Sequence, residues 1–230
     1  MIIGDFNINS VNAKQLTFDI QSMDITNNSS WGENISPFFV KNLKGFKKIT
    51  LTLLFKGISR KEILNNISKV INKMDVEKFT LKADGYSHLF ICSLEKTEII
   101  KTISKIRYTL QIELKAYEIS EIKQIEEKNI TNKVIDYAGT IETPLTMIIT
   151  PLTAGNLIID GVSDSVIKIN NVIANTDITI NSISETVSQG ITNKYNDTDM
   201  WEFPRLNLGT NTITFSMAVN VIFKYEERFI

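Results

Sequence analysis

The sequence predicts a mainly β protein that contains one α-helix and is divided into two parts. Three observations support this fold class. The stretch 106–116 alternates strictly between apolar and polar residues, a segment starting at Ser59 has the caps and spacing of a helix, and short apolar runs separated by turn residues fill the C-terminal half. With 43% hydrophobic residues among 230, the chain can bury a core in each part.

Several strands are predicted in the N-terminal half from a period of two. In 106–116 the apolar residues share one face, which no helix could achieve. They are Ile106, Tyr108, Leu110, Ile112, Leu114 and Ala116. The other predicted strands are 16–21, 49–55, 78–82 and 86–94, and Asp84-Gly85 between the last two is a hairpin signal.

One helix is predicted directly after Gly57. Ser59 followed by Glu62 is a capping box, and Ile58 is expected to close onto Ile63 as a hydrophobic staple. The apolar stripe is expected to cover one face of a sheet. It consists of Ile63, Leu64, Ile67, Val70, Ile71 and Met74, while Arg60, Lys61, Asn65, Asn66 and Lys73 are expected elsewhere on the surface.

Two polar segments are interpreted as connections. Residues 27–34 are expected to form a long loop, with Trp31 either packed on the core or offered to a partner. Residues 120–132 are charged and weakly periodic, which indicates a linker or an extended arm. The domain boundary is therefore placed near Val134, giving an N-terminal β domain with one helix (1–133) and a C-terminal antiparallel β-sandwich (134–230).

Charge and composition exclude several classes of protein. Lys plus Arg (25) nearly balances Asp plus Glu (26), so the whole chain gives no broad electrostatic reason to bind nucleic acid or an anionic membrane. The first residues lack the features of a secretory signal, so we expect synthesis and folding in a cytosol. No apolar run approaches the roughly 18 to 20 residues that span a bilayer.

The titratable residues give little support for catalysis or a metal site. With one histidine, His88, and one cysteine, Cys92, a zinc site of the usual type cannot form in a single chain. His88 is interpreted as a partly exposed strand residue and Cys92 as a small core hydrophobe. Asp197 and Asp199 could in principle offer oxygen ligands to calcium, but a solvated turn is the preferred interpretation.

Two further kinds of site were considered. A glycosidase pair leaves no local signature, and its acids would come from Glu95, Glu98, Glu142 or Glu202. The ten glycines do not cluster as a phosphate-binding loop requires. We therefore predict a protein that is not an enzyme, with no cofactor and no metal.

The most specific segment is 201–215, with the sequence Trp-Glu-Phe-Pro-Arg-Leu-Asn-Leu-Gly-Thr-Asn-Thr-Ile-Thr-Phe. Proline forces extended geometry on the residue before it, and the glycine supplies a turn before the alternation restarts. The segment is expected to be a structured loop that feeds the last hairpin. Its motif residues are Phe203, Pro204, Leu206, Gly209, Asn211 and Ile213.

This motif resembles that of the distal tail proteins of bacteriophages with long tails, in which Phe-Pro-x-Leu-x-x-Gly-x-Asn-x-Ile precedes the closing strands. The likeness extends over most of the chain: 49–74 and 106–117 match the family in order and character, and 139–144 resembles its entry into a galectin-like sandwich. The resemblance implies a homo-hexameric ring, built by the N-terminal domain, at the tail tip of a virion. It also implies contacts with the tail tube protein on one side and with a tail-associated hub, fibre or lysin protein on the other.

Two alternatives stay open at this point. Larger relatives carry an inserted carbohydrate-binding module for which this chain has no room, so the resemblance does not imply glycan binding. A monomeric carbohydrate-binding module that recognises a bacterial cell surface is the main alternative, and its aromatic platform would use Trp31 or Trp201. A wall-degrading hydrolase would require paired acids in a cleft.

Overall fold

The computed structural model of the chain describes residues 1–22, 25–30, 38–104 and 106–230. The chain forms two compact units, Met1–Ile119 and Ser120–Phe229, and each has its own hydrophobic core. The β-rich fold class with one helix is confirmed for the described residues. Trp31, for which the sequence left two roles open, lies outside them.

The N-terminal unit is built on an antiparallel sheet covered by the helix. Seven of its strands pair in the order β2-β1-β7-β8-β9-β6-β3, and β4 and β5 form a separate pair. The elements are β1 (Ile2–Ile3), β2 (Phe6–Asn7), a 3₁₀ turn (Ile8–Val11), β3 (Ala13–Gln21), β4 (Ile25–Ser30), β5 (Phe38–Lys44), β6 (Lys47–Lys56), α1 (Arg60–Met74), β7 (Phe79–Lys82), β8 (Leu89–Ser104) and β9 (Arg107–Ile119).

The alternating strand predicted from 106–116 is confirmed as β9. Five of its six apolar residues are buried, and β9 pairs with β6 on one side and β8 on the other. Ile106 is 46% exposed and precedes the strand. The long loop expected at 27–34 is corrected in its first part, because 27–30 belong to β4 and pair with β5.

The start of α1 confirms the predicted capping box. Ser59 Oγ accepts a hydrogen bond from Glu62 N at 3.2 Å, and Glu62 Oε2 accepts one from Ile58 N at 2.8 Å. The predicted staple is wrong, since Ile58 is 91% exposed. Ile63 packs under Gly57, where a Cβ would come within 2.8 Å of Ile63 Cγ1, so the space for a staple side chain is already filled.

The buried face of α1 includes one residue that was not predicted. Ile63, Ile67, Val70 and Met74 are buried as expected, and the other two predicted residues, Leu64 and Ile71, are half-buried. Asn66 was expected on the surface and is only 7% exposed. It lies three residues after Ile63 and four before Val70, so helical geometry places it on the apolar stripe whatever its polarity.

The C-terminal unit is an antiparallel sandwich. Its strands pair in the order β17-β16-β15-β12-β20-β13-β14-β18, with β10 beside β20. The elements are β10 (Lys123–Tyr137), β11 (Thr143–Pro144), β12 (Thr146–Pro151), β13 (Gly155–Asp160), β14 (Ile167–Val172), β15 (Ile178–Asn181), β16 (Thr186–Gln189), β17 (Thr192–Asn193), a 3₁₀ turn (Tyr195–Asp197), β18 (Thr198–Asp199), β19 (Arg205–Leu206), β20 (Gly209–Tyr225) and β21 (Arg228–Phe229).

Strand β20 joins the two layers of this sandwich. Its C-terminal part pairs with β12 and its N-terminal part with β13, and its alternate side chains enter a single core. Met147 and Ile178 on the β12 side and Leu157 and Ile169 on the β13 side are all fully buried in that core. The predicted antiparallel sandwich is therefore confirmed.

The segment 120–132, expected to be a linker or an extended arm, belongs from Lys123 onward to strand β10. β10 pairs with β20 from its first residue to its last, with irregularities on either side of Ile130. Asn129 adopts a φ of 54°, which interrupts the ladder there. Much of β10 is exposed and charged, so the strand depends on pairing with a partner distant in sequence. The compact units divide between Ile119 and Ser120, ahead of the boundary placed near Val134.

Candidate functional site: the closing loop and its surroundings

The loop before β20, residues 201–208, is joined to neighbouring segments by backbone hydrogen bonds, and we call it the closing loop. Its residues Arg205 and Leu206 form β19, which pairs with β11. Leu145 N donates a hydrogen bond to Pro204 O at 2.9 Å, and Arg205 N donates one to Val162 O at 2.7 Å. The loop is thus tied to two other connections of the sandwich.

The apolar residues of the predicted motif anchor this loop on the core. Leu206 and Ile213 are fully buried, Pro204 is buried and Phe203 packs at the core margin. The ring of Phe203 also stacks on Tyr195, with centroids 6.3 Å apart. These four motif residues therefore have a packing role.

Gly209 and Asn211 lock the turn into β20. Gly209 adopts a φ of +81°, which a side chain would disfavour. Asn211 is 5% exposed, and its Nδ2 donates to Asn207 O at 2.9 Å and to Gly209 O at 3.0 Å. Its Oδ1 accepts from Asn207 N at 2.8 Å. The structure thus gathers all six motif residues around one loop.

An arginine inside the motif organises the charges on the outside of the loop. Arg205 forms ion pairs with Glu202, with Asp164 at 2.7 Å and with Glu142 at 3.4 Å. Partial desolvation lowers the pKa of Arg205, but the hydrogen bond that Arg205 donates to Asp164 and the charges of Glu202 and Asp164 outweigh it and raise this pKa. Trp201, which the loop also carries, is 88% exposed.

The acids considered for glycoside hydrolysis are divided between the units. Glu95 is ion-paired with Lys115 and Glu98 with Lys96 in the N-terminal unit. The structure brings Glu142 and Glu202 together only through the guanidinium of Arg205 between them. These contacts are of the kind that stabilises a surface.

One of the two candidate calcium ligands pairs with a lysine. Asp197 accepts from Lys194 Nζ at 2.6 Å, and the same ammonium donates to the carbonyl oxygens of Asn170 and Asn171. Asp199 is exposed and the side chain of Asp197 is 46% exposed, which agrees with the solvated turn that the sequence favoured, while Lys194 is only 8% exposed. An ammonium group therefore occupies the position where oxygen atoms converge. Among the described residues no three His, Cys, Asp or Glu side chains are grouped to hold a metal.

His88 and Cys92 take part in packing and ion pairing. Cys92 is 1% exposed, and burial raises the pKa of its thiol to about 12, which confirms its interpretation as a core residue. His88 Nδ1 lies 2.6 Å from Glu118 Oε1, and Glu118 also pairs with the buried Lys47. Desolvation raises the pKa of Glu118, but the hydrogen bonds and charges of Lys47 and His88 outweigh it and lower this pKa.

The two units differ in charge, which the whole-chain balance concealed. Residues 1–119 contain 17 Lys and Arg against 12 Asp and Glu, a net charge of +5. Residues 120–230 contain 8 against 14, a net charge of −6. Counting each part of the chain separately would have shown this from sequence, even with the boundary placed near Val134.

Each unit also has a surface groove. In the N-terminal unit a groove of about 490 Å³ lies beside α1 and is lined by Phe6, Lys69, Asn72, Lys73 and Val76. In the C-terminal unit a groove of about 360 Å³ lies over β12, β15 and the end of β20. No helix of the described residues has the length and apolar character needed to cross a bilayer.

Comparison with known proteins links this architecture to phage tails. No protein-family model matches the sequence, and no curated protein matches it. Among solved structures, the chain is similar to the Dit protein of phage SPP1, a hub adsorption apparatus protein of phages that infect Gram-positive bacteria. The TM-score is 0.79, the identity is 8%, and 100% of both chains is covered.

Two structures of the phage P2 baseplate in its activated conformation are also similar. The calcium form gives a TM-score of 0.56 at 14% identity, and the strontium form gives 0.55 at 13%. Each covers 98% of this chain and 94% of the other. The resemblance inferred from the sequence is thus confirmed in the fold, and this chain has the fold of the phage distal tail proteins.

Proposed function

We propose that this chain is a structural protein of a phage tail tip, where six copies form a ring that joins the tail tube to the hub or fibre proteins of the baseplate. The observation that carries the proposal is the similarity to the SPP1 Dit protein over 100% of both chains. The match covers both compact units, so the proposal concerns the whole chain and not one half of it. The closing-loop motif supports the same family independently.

A structural role also fits the chemistry of the described residues. The acids weighed for catalysis are engaged in ion pairs with Lys96, Lys115 and Arg205. A ring subunit needs two different surfaces that meet in neighbouring copies, and a heterologous contact with the right rotation closes on itself. We therefore propose that the protein works by contact, without a catalytic step, and is located at the tail tip of the virion after synthesis in the host cytoplasm.

The test is the mass and symmetry of the purified chain, alone and together with the tail tube and hub proteins of the same particle. Six copies of the 26.1 kDa chain give about 157 kDa by light scattering. We expect sixfold rings in negative-stain images, and antibody labelling at the tail tip of intact particles. Particles that assemble complete tails without this chain would refute the proposal.

A monomeric carbohydrate-binding module is the second candidate, and one observation favours it. Trp201 is 88% exposed, and an exposed indole is a suitable platform for a sugar ring. This candidate predicts binding of purified cell-wall polysaccharide by a monomer, measured by calorimetry, and loss of that binding in Trp201→Ala. Ring formation without polysaccharide binding excludes it.

A further inference from the structure

We propose that the end of the C-terminal sandwich that carries the closing loop is a docking surface for a positively charged segment of the hub or fibre protein. The proposal rests on the proposed function and deepens it, because it names the surface and the chemistry of a partner. The surface consists of three connections with their flanking residues, 136–143, 160–168 and 199–209, and we call it the acidic end. It combines exposed apolar side chains with an excess of negative charge.

The fold holds the three connections of the acidic end against one another. Strand β11 pairs with β19, which joins the first connection to the closing loop. Arg205 N donates a hydrogen bond to Val162 O at 2.7 Å, which joins the second connection to the same loop. The guanidinium of Arg205 pairs with an acid from each of them, Glu142 and Asp164. The acidic end is therefore one surface that is ordered before a partner arrives, which lowers the entropy cost of binding.

Three large apolar side chains of the acidic end are exposed to solvent. Trp201 is 88% exposed, Leu208 54% and Val166 48%. Single exposed apolar residues are common on protein surfaces, whereas exposed apolar groups rimmed by polar residues mark interaction sites. A tryptophan in such a position is typical of the few residues that dominate the affinity of a protein interface. Trp201 is therefore the anchor of this surface.

The acidic end carries most of the negative charge of its unit. It contains six acids and two basic residues, a net charge of −4, out of the −6 of residues 120–230. The basic residues next to it are already paired, Lys194 with Asp197 and Arg228 with Glu226. The six acids are Asp136, Glu142, Asp160, Asp164, Asp199 and Glu202, and the two basic residues are Lys168 and Arg205.

This charge selects among the possible occupants of the surface. Nucleic acid and anionic cell-wall polymers are repelled by it, and a neutral polysaccharide gains nothing from the carboxylates. The resemblance implies a ring built by the N-terminal domain, so ring formation does not require this surface of the C-terminal unit. A cationic segment of a different protein is the occupant that the charge attracts.

The apolar groups and the acids together fit a segment that carries lysine or arginine beside an apolar residue. The cationic group can lie over the face of the Trp201 indole, which attracts it, while the surrounding carboxylates pair with its charge. The neighbouring apolar residue of the segment then covers exposed apolar surface of the acidic end. One anchor does not make a whole interface, which needs roughly 1,000 Å² or more, so further contacts accompany it.

The test measures binding of the full chain to the purified hub and fibre proteins of the same particle, by calorimetry at low and high salt. Trp201→Ala removes the anchor of the surface. Its matched control is Ile191→Ala, which removes an exposed apolar side chain of the same unit outside the acidic end.

A second pair of variants tests the charge. Asp164→Asn/Asp199→Asn removes two negative charges of the acidic end with little change in size. Its control, Glu126→Gln/Glu185→Gln, removes two negative charges from other parts of the same unit. All the replaced residues are exposed, and thermal unfolding checks that each variant folds.

We expect Trp201→Ala to weaken binding of the hub or fibre protein at least about tenfold, as removal of an anchor residue does. The charge variant is expected to weaken binding roughly fivefold at low salt, because each exposed ion pair contributes little by itself. Added salt weakens binding of the wild type more than binding of the charge variant. Each control changes the affinity less than about twofold.

Four outcomes overturn the docking surface. They are binding of neither the hub nor the fibre protein, binding of the variants as tight as that of the wild type, binding of cell-wall polysaccharide that Trp201→Ala abolishes, and loss of ring formation in Trp201→Ala. Rings that form from every variant while partner binding is weakened support it. Absence of rings from the wild-type chain together with the tail tube and hub proteins refutes the proposed function itself.

Discussion

Replacement of Asn211 by alanine tests whether the closing-loop motif is a structural lock. The side chain makes three hydrogen bonds to the backbone of Asn207 and Gly209. Each such bond contributes about 1 kcal/mol net. Both partner residues are exposed, so water can replace the lost contacts in part. We therefore expect Asn211→Ala to lower the free energy of unfolding of the C-terminal unit by about 2 to 3 kcal/mol.

The assay is differential scanning calorimetry of the full chain, in which two compact units can give two transitions. For a unit of 110 residues, Ser120–Phe229, the expected loss lowers the transition of the C-terminal unit by roughly 10 °C. Thr210→Ala is the matched control, because it removes one exposed hydrogen bond to Asp136 at the same turn. If Asn211→Ala and Thr210→Ala lower the transition temperature equally, the hydrogen bonds of Asn211 do not stabilise the turn in the way argued here.

Three other predictions test packing and ionisation. Gly161→Ala would place a Cβ 1.9 Å from the carbonyl oxygen of Thr212 at a φ of +88°, so we expect the free energy of unfolding in urea to fall by about 3 kcal/mol or more. For the control Gly4→Ala, whose Cβ meets no atom within 4 Å, we expect a fall of about 1 kcal/mol. Equal losses would contradict the close approach at Gly161. The pKa of Glu118 is lowered in the folded state, so its contribution to stability is present above the unfolded pKa of about 4.3 and is lost as pH falls through the folded value. We therefore expect Glu118→Gln to make the free energy of unfolding of the N-terminal unit depend less on pH in the acid range. An unchanged pH dependence counts against the ion pairs. With its pKa raised to about 12 and its side chain buried, Cys92 should react with a thiol reagent only at the rate at which the N-terminal unit opens, and rapid modification of the native protein would show the burial to be wrong.

The elements that the sequence predicted well are those with local signals. The capping box of α1 needs only Ser59 and Glu62, and the buried face of β9 follows from strict alternation. The staple failed because its outcome depends on what else packs on Ile63, which is Gly57. Asn66 was predicted on the surface from its polarity and is buried, because its position in the helix places it on the apolar face. A local pattern predicts an element, and packing decides which side chains it buries.

Strand β10 could not be identified from its own residues. Its outer face is charged and exposed, so the alternation is weak, and a left-handed Asn129 breaks what period there is. The strand exists because β20, far away in the sequence, offers a complementary edge. Non-local pairing of this kind leaves little trace in a window of ten residues, which is why the segment resembled a linker.

The candidate site was predictable in its residues and not in their arrangement. The motif identified Asn211 and Gly209, but the hydrogen bonds that they form required coordinates. No local pattern indicates that Glu142, Asp164 and Glu202 meet on Arg205, because acids from separate connections become neighbours only through the fold.

The net charge of the whole chain hides a large difference between its two parts. A net charge of −1 suggested no electrostatic partner, whereas the two units carry +5 and −6. Fields from exposed charges decay over about 8 to 10 Å at physiological salt, so a neighbouring molecule senses the unit that it touches and not the sum over the chain. Charge counted over each compact unit is therefore the quantity that bears on which surfaces each unit attracts.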